Sequence, residues 1–436
     1  MLFRKQKREQ RLQQQMDERP KSPDYWKQVW RQYRKNRVAI WALRILSFLA
    51  VIALFADFLA NDKPIYCQLE GQAHWPVFRN YLVDAGVGKW PEGMSNFDWK
   101  EAQYESVVWP LIPYADNNLD MGNSYKSPFD PQKVKAPRFR HRLGTDSLGR
   151  DVAAGMIRGT RVALVIGLLS MAVAAFIGIL LGALAGYYGD RHLQVSRVRV
   201  LLNLLALPLA YFYAVEVRSY VLEESSNFYT QLLISLGWAM GILLLANLLA
   251  TLLKRLPWLG RKWTMPVDIL VMRLIEVMNS IPGLMLLLAI LVIIPRPNVF
   301  SVMVIIGLIS WTGIARFIRG EILRIRALEY IEAARAMGYN NWRIIWRHVI
   351  PNALGPVLIT LAFGIAGAIL LEAFLSFLGQ GAGSAQVTWG RLLSLARNSP
   401  GAWWLAVFPG LAIFVTVSIF NFIGEGLTDA IDPRRG

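Results

Sequence analysis

Residues 354–378 read LGPVLITLAFGIAGAILLEAFLSFL, an apolar run with one ionisable side chain, Glu372. A helix rises about 1.5 Å per residue, so about 20 such residues cross about 30 Å of hydrocarbon. Seven more runs outward from this one meet the same test: 38–60, 162–187, 200–222, 232–253, 270–294, 299–317 and 405–423. Eight spans predict an all-α polytopic membrane protein. Composition agrees, because 54% of the chain is apolar and the mean hydropathy is +0.34, whereas soluble domains average about 45–50% apolar with glycine included. The formal net charge is +17, but the basic residues flank the apolar runs instead of forming one patch. They point to a membrane surface and away from nucleic acid. Cys67 is the only cysteine, which excludes an internal disulfide and a cysteine cluster for zinc or iron–sulfur.

Charge on the connections sets the expected sidedness. A basic arm, 1–37, precedes the first span and predicts a cytoplasmic N-terminus under the positive-inside rule, with 38–60 as an uncleaved anchor. Residues 61–158 are polar, rich in Pro, Gly and aromatics, and contain no spanning run, which predicts an extracytoplasmic region. Its Trp75, Trp90, Trp99, Trp109 and Tyr114 suit either a small packed core or a docking surface. The second span carries Gly167, Ser170, Ala172, Gly178, Gly182, Ala183 and Gly186, small residues expected where helix backbones approach closely in lipid. The run 200–222 is the least regular, with Asn203, Pro208, Glu216 and Arg218 inside it. An acidic, polar tip follows at 223–227. Basic flanks (Arg191, Arg197, Arg199; Lys254, Arg255, Arg261, Lys262) predict that 191–263 is a hairpin of two spans with both ends inside. A tight outer turn at 295–298, a basic inner segment and Arg434 with Arg435 then leave the C-terminus cytoplasmic, with a tail at 427–436.

The inner segment between the sixth and seventh runs, 321–351, carries the most information. Good helix formers fill 332–337, and Gly338 is the natural residue just past a helix C-terminus. Trp342, Ile345, Trp346 and Val349 then recur at helical spacing, predicting a second short amphipathic helix that ends before Pro351. The expected product is a helix–turn–helix at the membrane surface. On residues alone it is either an interfacial connector or a knob for a groove on a partner.

Glu332-Ala333-Ala334, with Gly338 six residues after the Glu and Pro351 thirteen after the Gly, resembles the EAA loop of ABC-importer permeases. His348 and Ile350 depart from the usual Ile and Leu of that pattern, while Val349 and Ile350 keep its apolar volume. The stretches GTDSLGRD at 144–151, GTR at 159–161, AGYYG at 185–189, EAFLSFLG at 372–379 and TWG at 388–390, with the tail from 421, resemble the C-type permease of the dipeptide and oligopeptide (and nickel) importers. The resemblance implies a type I ABC-importer transmembrane domain over 159–426. It also implies a second homologous permease, two ABC ATPase subunits that bind ATP and Mg, and an extracytoplasmic peptide-binding protein. The short helix around Glu332 would dock onto the ATPase. The extra hairpin and the long region before residue 141 depart from the family pattern. An even number of inserted spans leaves later sidedness unchanged.

Other chemistry is weakly signalled. No Gly-rich phosphate loop ending in Gly-Lys-Ser/Thr is present, so hydrolysis is assigned to a partner and the chain is expected to bring no cofactor or metal of its own. His74, His141, His192 and His348 lack metal-ligand spacing and read as surface or interface residues. Arg44 reads as a snorkelling residue. Pro282 and Gly283 break the fifth run, and irregular backbone inside a membrane is tolerated where it lines a cavity, so that helix is expected on the translocation path. Glu372 either faces the path or bonds a neighbouring helix. The rival class is a secondary transporter driven by an ion gradient, which predicts paired intramembrane acids and an inverted repeat. A membrane anchor or sensor is a third.

Overall fold

The structure, a computed structural model, describes residues 25–431 except 70, 85, 92–93, 95–96, 191–192, 219–227, 255–261, 295–297 and 382–386. Residues 1–24 of the basic arm, the hairpin tip, Arg191, His192, Arg255, Arg261, most of the 295–298 turn and the final arginines therefore lie outside the described residues. Among the described residues, seven helices are long and apolar enough to cross a membrane, and a bent pair makes an eighth if its halves count as one span. The chain divides into two compact units, 1–183 with 276–436, and 184–275.

In the larger unit a short amphipathic helix, α1 (Tyr25–Tyr33), leads into α2 (Arg37–Leu54). The Asn36 side chain caps α2 by accepting from the Ala39 N–H at 3.1 Å. The apolar run 38–60 is not one helix: α2 stops at Leu54 and a four-residue α3 (Ala56–Leu59) follows. The polar region after it holds a three-stranded antiparallel sheet of order β2-β1-β3, built from β1 (Tyr66–Leu69), β2 (Gln72–His74) and β3 (Ser106–Val108), with α4 (Pro76–Asp84) beside β1. Aromatic side chains divide between the two expected uses. Trp99 and Tyr114 are buried, while Trp75 is 52% exposed.

Helix α5 (Val152–Tyr188) is longer than a bilayer requires, and its small residues let α10 (Val299–Ile325) approach. A Cβ on Gly182 would lie 2.5 Å from the Ala315 carbonyl oxygen, and one on Gly307 would lie 2.7 Å from that of Ser170. The interior is a dry cluster in which Ile166 of α5, Leu287 and Leu291 of α9 (Gly283–Ile293), Val302 and Ile306 of α10, and Leu375 of α13 (Ile350–Phe377) interlock. Helix α14 (Trp389–Asn398) and the last span, α15 (Trp404–Ile431), complete this unit.

The smaller unit holds the inserted hairpin together with the chain on either side of it. Strands β4 (Gln194–Ser196) and β5 (Lys262–Thr264) pair antiparallel with Gln194 opposite Thr264, so the two ends of the insertion are adjacent. Between them run α6 (Arg197–Tyr211), prolonged by a wide π turn over Phe212–Glu216, and α7 (Phe228–Leu253). Helical structure continues through Pro208 to Glu216, long and apolar enough to cross a membrane. Hydrogen bonds between polar side chains join the two helices: Asn247 donates to Asn203 at 3.0 Å, and Arg218 donates to Ser235 at 3.0 Å.

Candidate coupling helix and translocation path

Leu328 opens a new helix, α11 (Glu329–Ala336), three residues after α10 ends. Its C-terminus is closed by two backbone bonds: Gly338 N–H to the Arg335 carbonyl at 2.9 Å and Tyr339 N–H to the Ala334 carbonyl at 3.2 Å. That pair of bonds needs a left-handed residue between them, and Gly338 supplies it with φ +79°. The amide of Asn340 then caps α12 (Asn341–Ile344), accepting from the Trp342 N–H at 3.2 Å. The expected helix–turn–helix is present.

Burial sorts its residues. Ile331 is fully buried and Ala334 is 4% exposed, so these two form the inner face of α11. Glu332, Ala333 and Gly338 are exposed, together with Met337, Tyr339, Trp342 and Trp346. Of the Glu-Ala-Ala triplet, the first two residues form the outer face and the third belongs to the inner one. The Trp342 and Trp346 rings meet edge-on at 5.5 Å, and the Arg343 guanidinium lies 5.3 Å from the Tyr339 ring centre. The stripe read from sequence is split: Ile345 and Val349 point inward and both tryptophans outward. Tyr330 is tied to the next helix by a 3.4 Å hydrogen bond from the Asn352 amide, and burial pushes its hydroxyl pKa up.

One expectation is corrected. The second helix does not end before Pro351, because α12 passes through a π turn at Ile345–Val349 straight into α13, and the whole of Asn341–Phe377 is continuous. Pro351 directly follows the π turn, whose wider hydrogen-bonding pattern accommodates a residue without an N–H. Helix α12 is thereby continuous with α13, while α11 is joined to it through the turn at Gly338.

At the fifth span the chain bends by 83° between α8 (Val267–Ser280) and α9. Asn279, Ser280, Ile281, Pro282 and Gly283 are all exposed at the break. Asn279 accepts a hydrogen bond from the Thr312 hydroxyl of α10 at 3.2 Å. Asn279 and Thr312 went unnoticed in the sequence because neither is ionisable, although an Asn two residues before an Ile-Pro-Gly break is a legible signal. The break presents polar backbone and an amide in the middle of an apolar span, which suits a water-filled surface and not lipid. Glu372 is different: it is 3% exposed, and the Ser376 hydroxyl donates to its carboxylate at 2.6 Å, with Thr388 beside it. Of the two readings left open for it, this surrounding supports bonding within the subunit.

His141, expected on a surface, is fully buried in the polar region. Its Nδ1 lies 2.8 Å from Asp151 and its Nε2 3.3 Å from Asp120, while the ring packs 4.2 Å from that of Tyr114. Asp151 also caps α5 through the Ala154 N–H at 2.7 Å. The GTDSLGRD stretch is thus a structural knot. Asp146 accepts from the Leu148 and Arg150 N–H groups and pairs with the Arg150 side chain at 2.6 Å, and Trp404 of α15 donates to the Thr145 carbonyl at 3.0 Å. No group of metal-ligating side chains occurs among the described residues.

Residues 246–436 match the family described as "Binding-protein-dependent transport system inner membrane component", and residues 24–74 match the "N-terminal TM domain of oligopeptide transport permease C". The chain is 31% identical to the glutathione transport system permease protein GsiD of Pectobacterium atrosepticum over 74% of its own length and 80% of that protein's. It is 27% identical to the peptidoglycan transport system permease protein YejE of Agrobacterium fabrum over 96% of both chains. Against the dipeptide transport system permease protein DppC of Bacillus subtilis it is 25% identical, over 95% of this chain and 87% of the relative.

Proposed function

Because the chain belongs to the peptide-type family of inner-membrane ABC-transporter permeases, we propose that it carries short peptides or peptide-containing solutes into the cell. It is a multi-pass transport subunit and not an enzyme. ATPase and binding-protein partners go with the family; two ATPase subunits, one homologous permease and one extracytoplasmic binding protein are the composition we propose. The relatives are named for glutathione, dipeptide and peptidoglycan transport systems, and amide-linked amino acids are what those three share.

The observation that carries the proposal is the knob closed by Gly338: buried at Ile331 and Ala334, exposed at Glu332 and Ala333, and followed by α12, which runs unbroken into α13. In this reading Glu332, Ala333, Gly338 and the neighbouring aromatic rings contact the ATPase, while Ala334 and Pro351 hold the knob on its helix. ATP-driven closure of the ATPase pair pushes α11. The push reaches α13 through the unbroken Asn341–Phe377 helix and shifts the permease pair between inward-open and outward-open states. Such a push shifts the equilibrium only if the knob contacts the ATPase differently in the two states. Pro282 and Gly283, with Asn279, line the path, and Glu372 braces α13 beside it. Both termini are cytoplasmic and the 61–158 region faces outward.

Uptake of a labelled tripeptide into proteoliposomes holding the co-purified complex tests the reading. Uptake should require ATP and hydrolysis-competent ATPase and should fail with Gly338→Asp or Glu332→Lys, which insert normally. Uptake that persists with a disabled ATPase and follows an imposed ion gradient would replace it by the secondary-transporter reading.

A further inference from the structure

Helix α1 is amphipathic in a particular way. Val29 and Tyr33 are its buried face, packed with Ala39 of α2 and with Leu427, Ala430 and Ile431 of α15. The Tyr33 hydroxyl donates to the Ala39 carbonyl at 3.2 Å, and Gly426 of α15 leaves the room that Ala39 and Tyr33 occupy. At about 100° per residue, Trp26 and Trp30 stand next to this face and Lys27, Arg31 and Arg34 lie beyond them. Trp26 is 42% exposed and Trp30 51%, and Lys27, Arg31, Arg34, Lys35 and Arg37 are exposed. No Asp or Glu occurs in residues 25–44. Asp429 of α15 faces this corner and accepts from the Asn36 amide at 3.4 Å.

Position fixes what this surface meets. The spanning helix α2 starts at Arg37, so α1 is held at a membrane–water boundary, and Trp41 with the Arg44 guanidinium 4.9 Å from its ring centre continues the same belt one turn deeper. Indole rings beside a clamped apolar face, with cations beyond them, match the order of acyl chain, interface and headgroup in a bilayer.

We propose that α1 and the turn into α2 form a binding surface for anionic phospholipid headgroups, with Lys27, Arg31, Arg34, Lys35 and Arg37 on the phosphates and Trp26 and Trp30 at headgroup depth. Bound lipid braces the junction of α1, α2 and the end of α15. The proposal goes beyond the transport reading and stands without it.

The full chain is reconstituted in nanodiscs of equal phosphatidylglycerol and phosphatidylcholine, extracted gently, and the retained lipid counted by mass spectrometry. The wild-type protein should retain phosphatidylglycerol preferentially, and high salt should abolish the preference. Lys27→Gln/Arg31→Gln/Arg34→Gln/Lys35→Gln should lower the preference about tenfold or more, since each cation near an anionic surface contributes about fivefold. Trp26→Ala/Trp30→Ala should reduce total retained lipid with the preference kept. Equal retention of both lipids by the wild type, a preference that survives high salt, or a well-folded quadruple variant with wild-type preference would each overturn it.

Discussion

Replacing Gly338 separates conformation from contact. A Cβ added there meets nothing within 4 Å, so Gly338→Ala introduces no clash and changes only the cost of φ +79°. For an L-residue that cost is about 1–2 kcal/mol, equivalent to about a 5- to 30-fold shift against the closed turn. Asparagine visits the left-handed region more readily, so Gly338→Asn should cost less. Opening the turn releases the bonds to the Arg335 and Ala334 carbonyls and swings Tyr339 and Trp342 away from the Glu332 face. If the ATPase binds only the closed knob, its apparent affinity falls in proportion to the closed fraction. The expected order is Gly, then Asn, then Ala, with Ala down as much as about 30-fold and melting nearly unchanged because the site is exposed. Titration of purified ATPase against the permease complex reads the affinity. Alanine binding as tightly as glycine, or asparagine more weakly than alanine, would refute the reasoning.

Three further outcomes follow from particular contacts. Asp57 is held by Arg161 at 2.6 Å, Arg158 at 2.9 Å and the Tyr81 hydroxyl. Burial works to raise its pKa, but those partners outweigh it and hold the carboxyl below its usual 3.8. Its stabilisation is therefore present at neutral pH and lost as pH falls below about 4, and Asp57→Asn should cost about 1.5–3 kcal/mol at pH 7 in thermal unfolding, with no acid-dependent loss from this site. Lys100 rests against the Tyr114 ring at 3.6 Å beside a cavity of about 510 Å³, and burial lowers its pKa to about 8. The unfolded chain then binds more protons than the folded one between about pH 8 and 10.5, so stability should rise across that window and stay flat in Lys100→Met. Since Gln194 and Thr264 are paired neighbours, replacing 195–263 by a short Gly-Ser turn should leave insertion and the melting of the remaining helices intact; a misinserted product would contradict that.

The spans were legible because hydrocarbon imposes a length and an apolarity that any reader of the chain can count. So was the Pro282–Gly283 break, since proline removes a donor and the following helix must restart. Gly338 was legible from its position after a helical run, and its left-handed φ gives the reason. What the chain hid was partnership across distance. Pro351 reads as a stop, yet the π turn directly before it accommodates a residue without an N–H. Nothing local distinguishes His141 from a surface histidine, because Asp120, Tyr114 and Asp151 reach it only through tertiary packing. Glu372 offers two readings from its sequence, the path or a bond to a neighbouring helix, and the hydroxyl that meets it at 2.6 Å is that of Ser376, one turn on within α13 itself.

The central claim is that the outer face of α11 and α12 receives the ATPase's motion. A photo-crosslinking side chain placed at Trp342, 55% exposed beside the Gly338 turn, tests it in native membranes. One dominant adduct, to an ATPase subunit, is expected, and its yield should change when ATP is bound. Adducts to lipid alone, with the ATPase present and unlabelled in both nucleotide states, would contradict it.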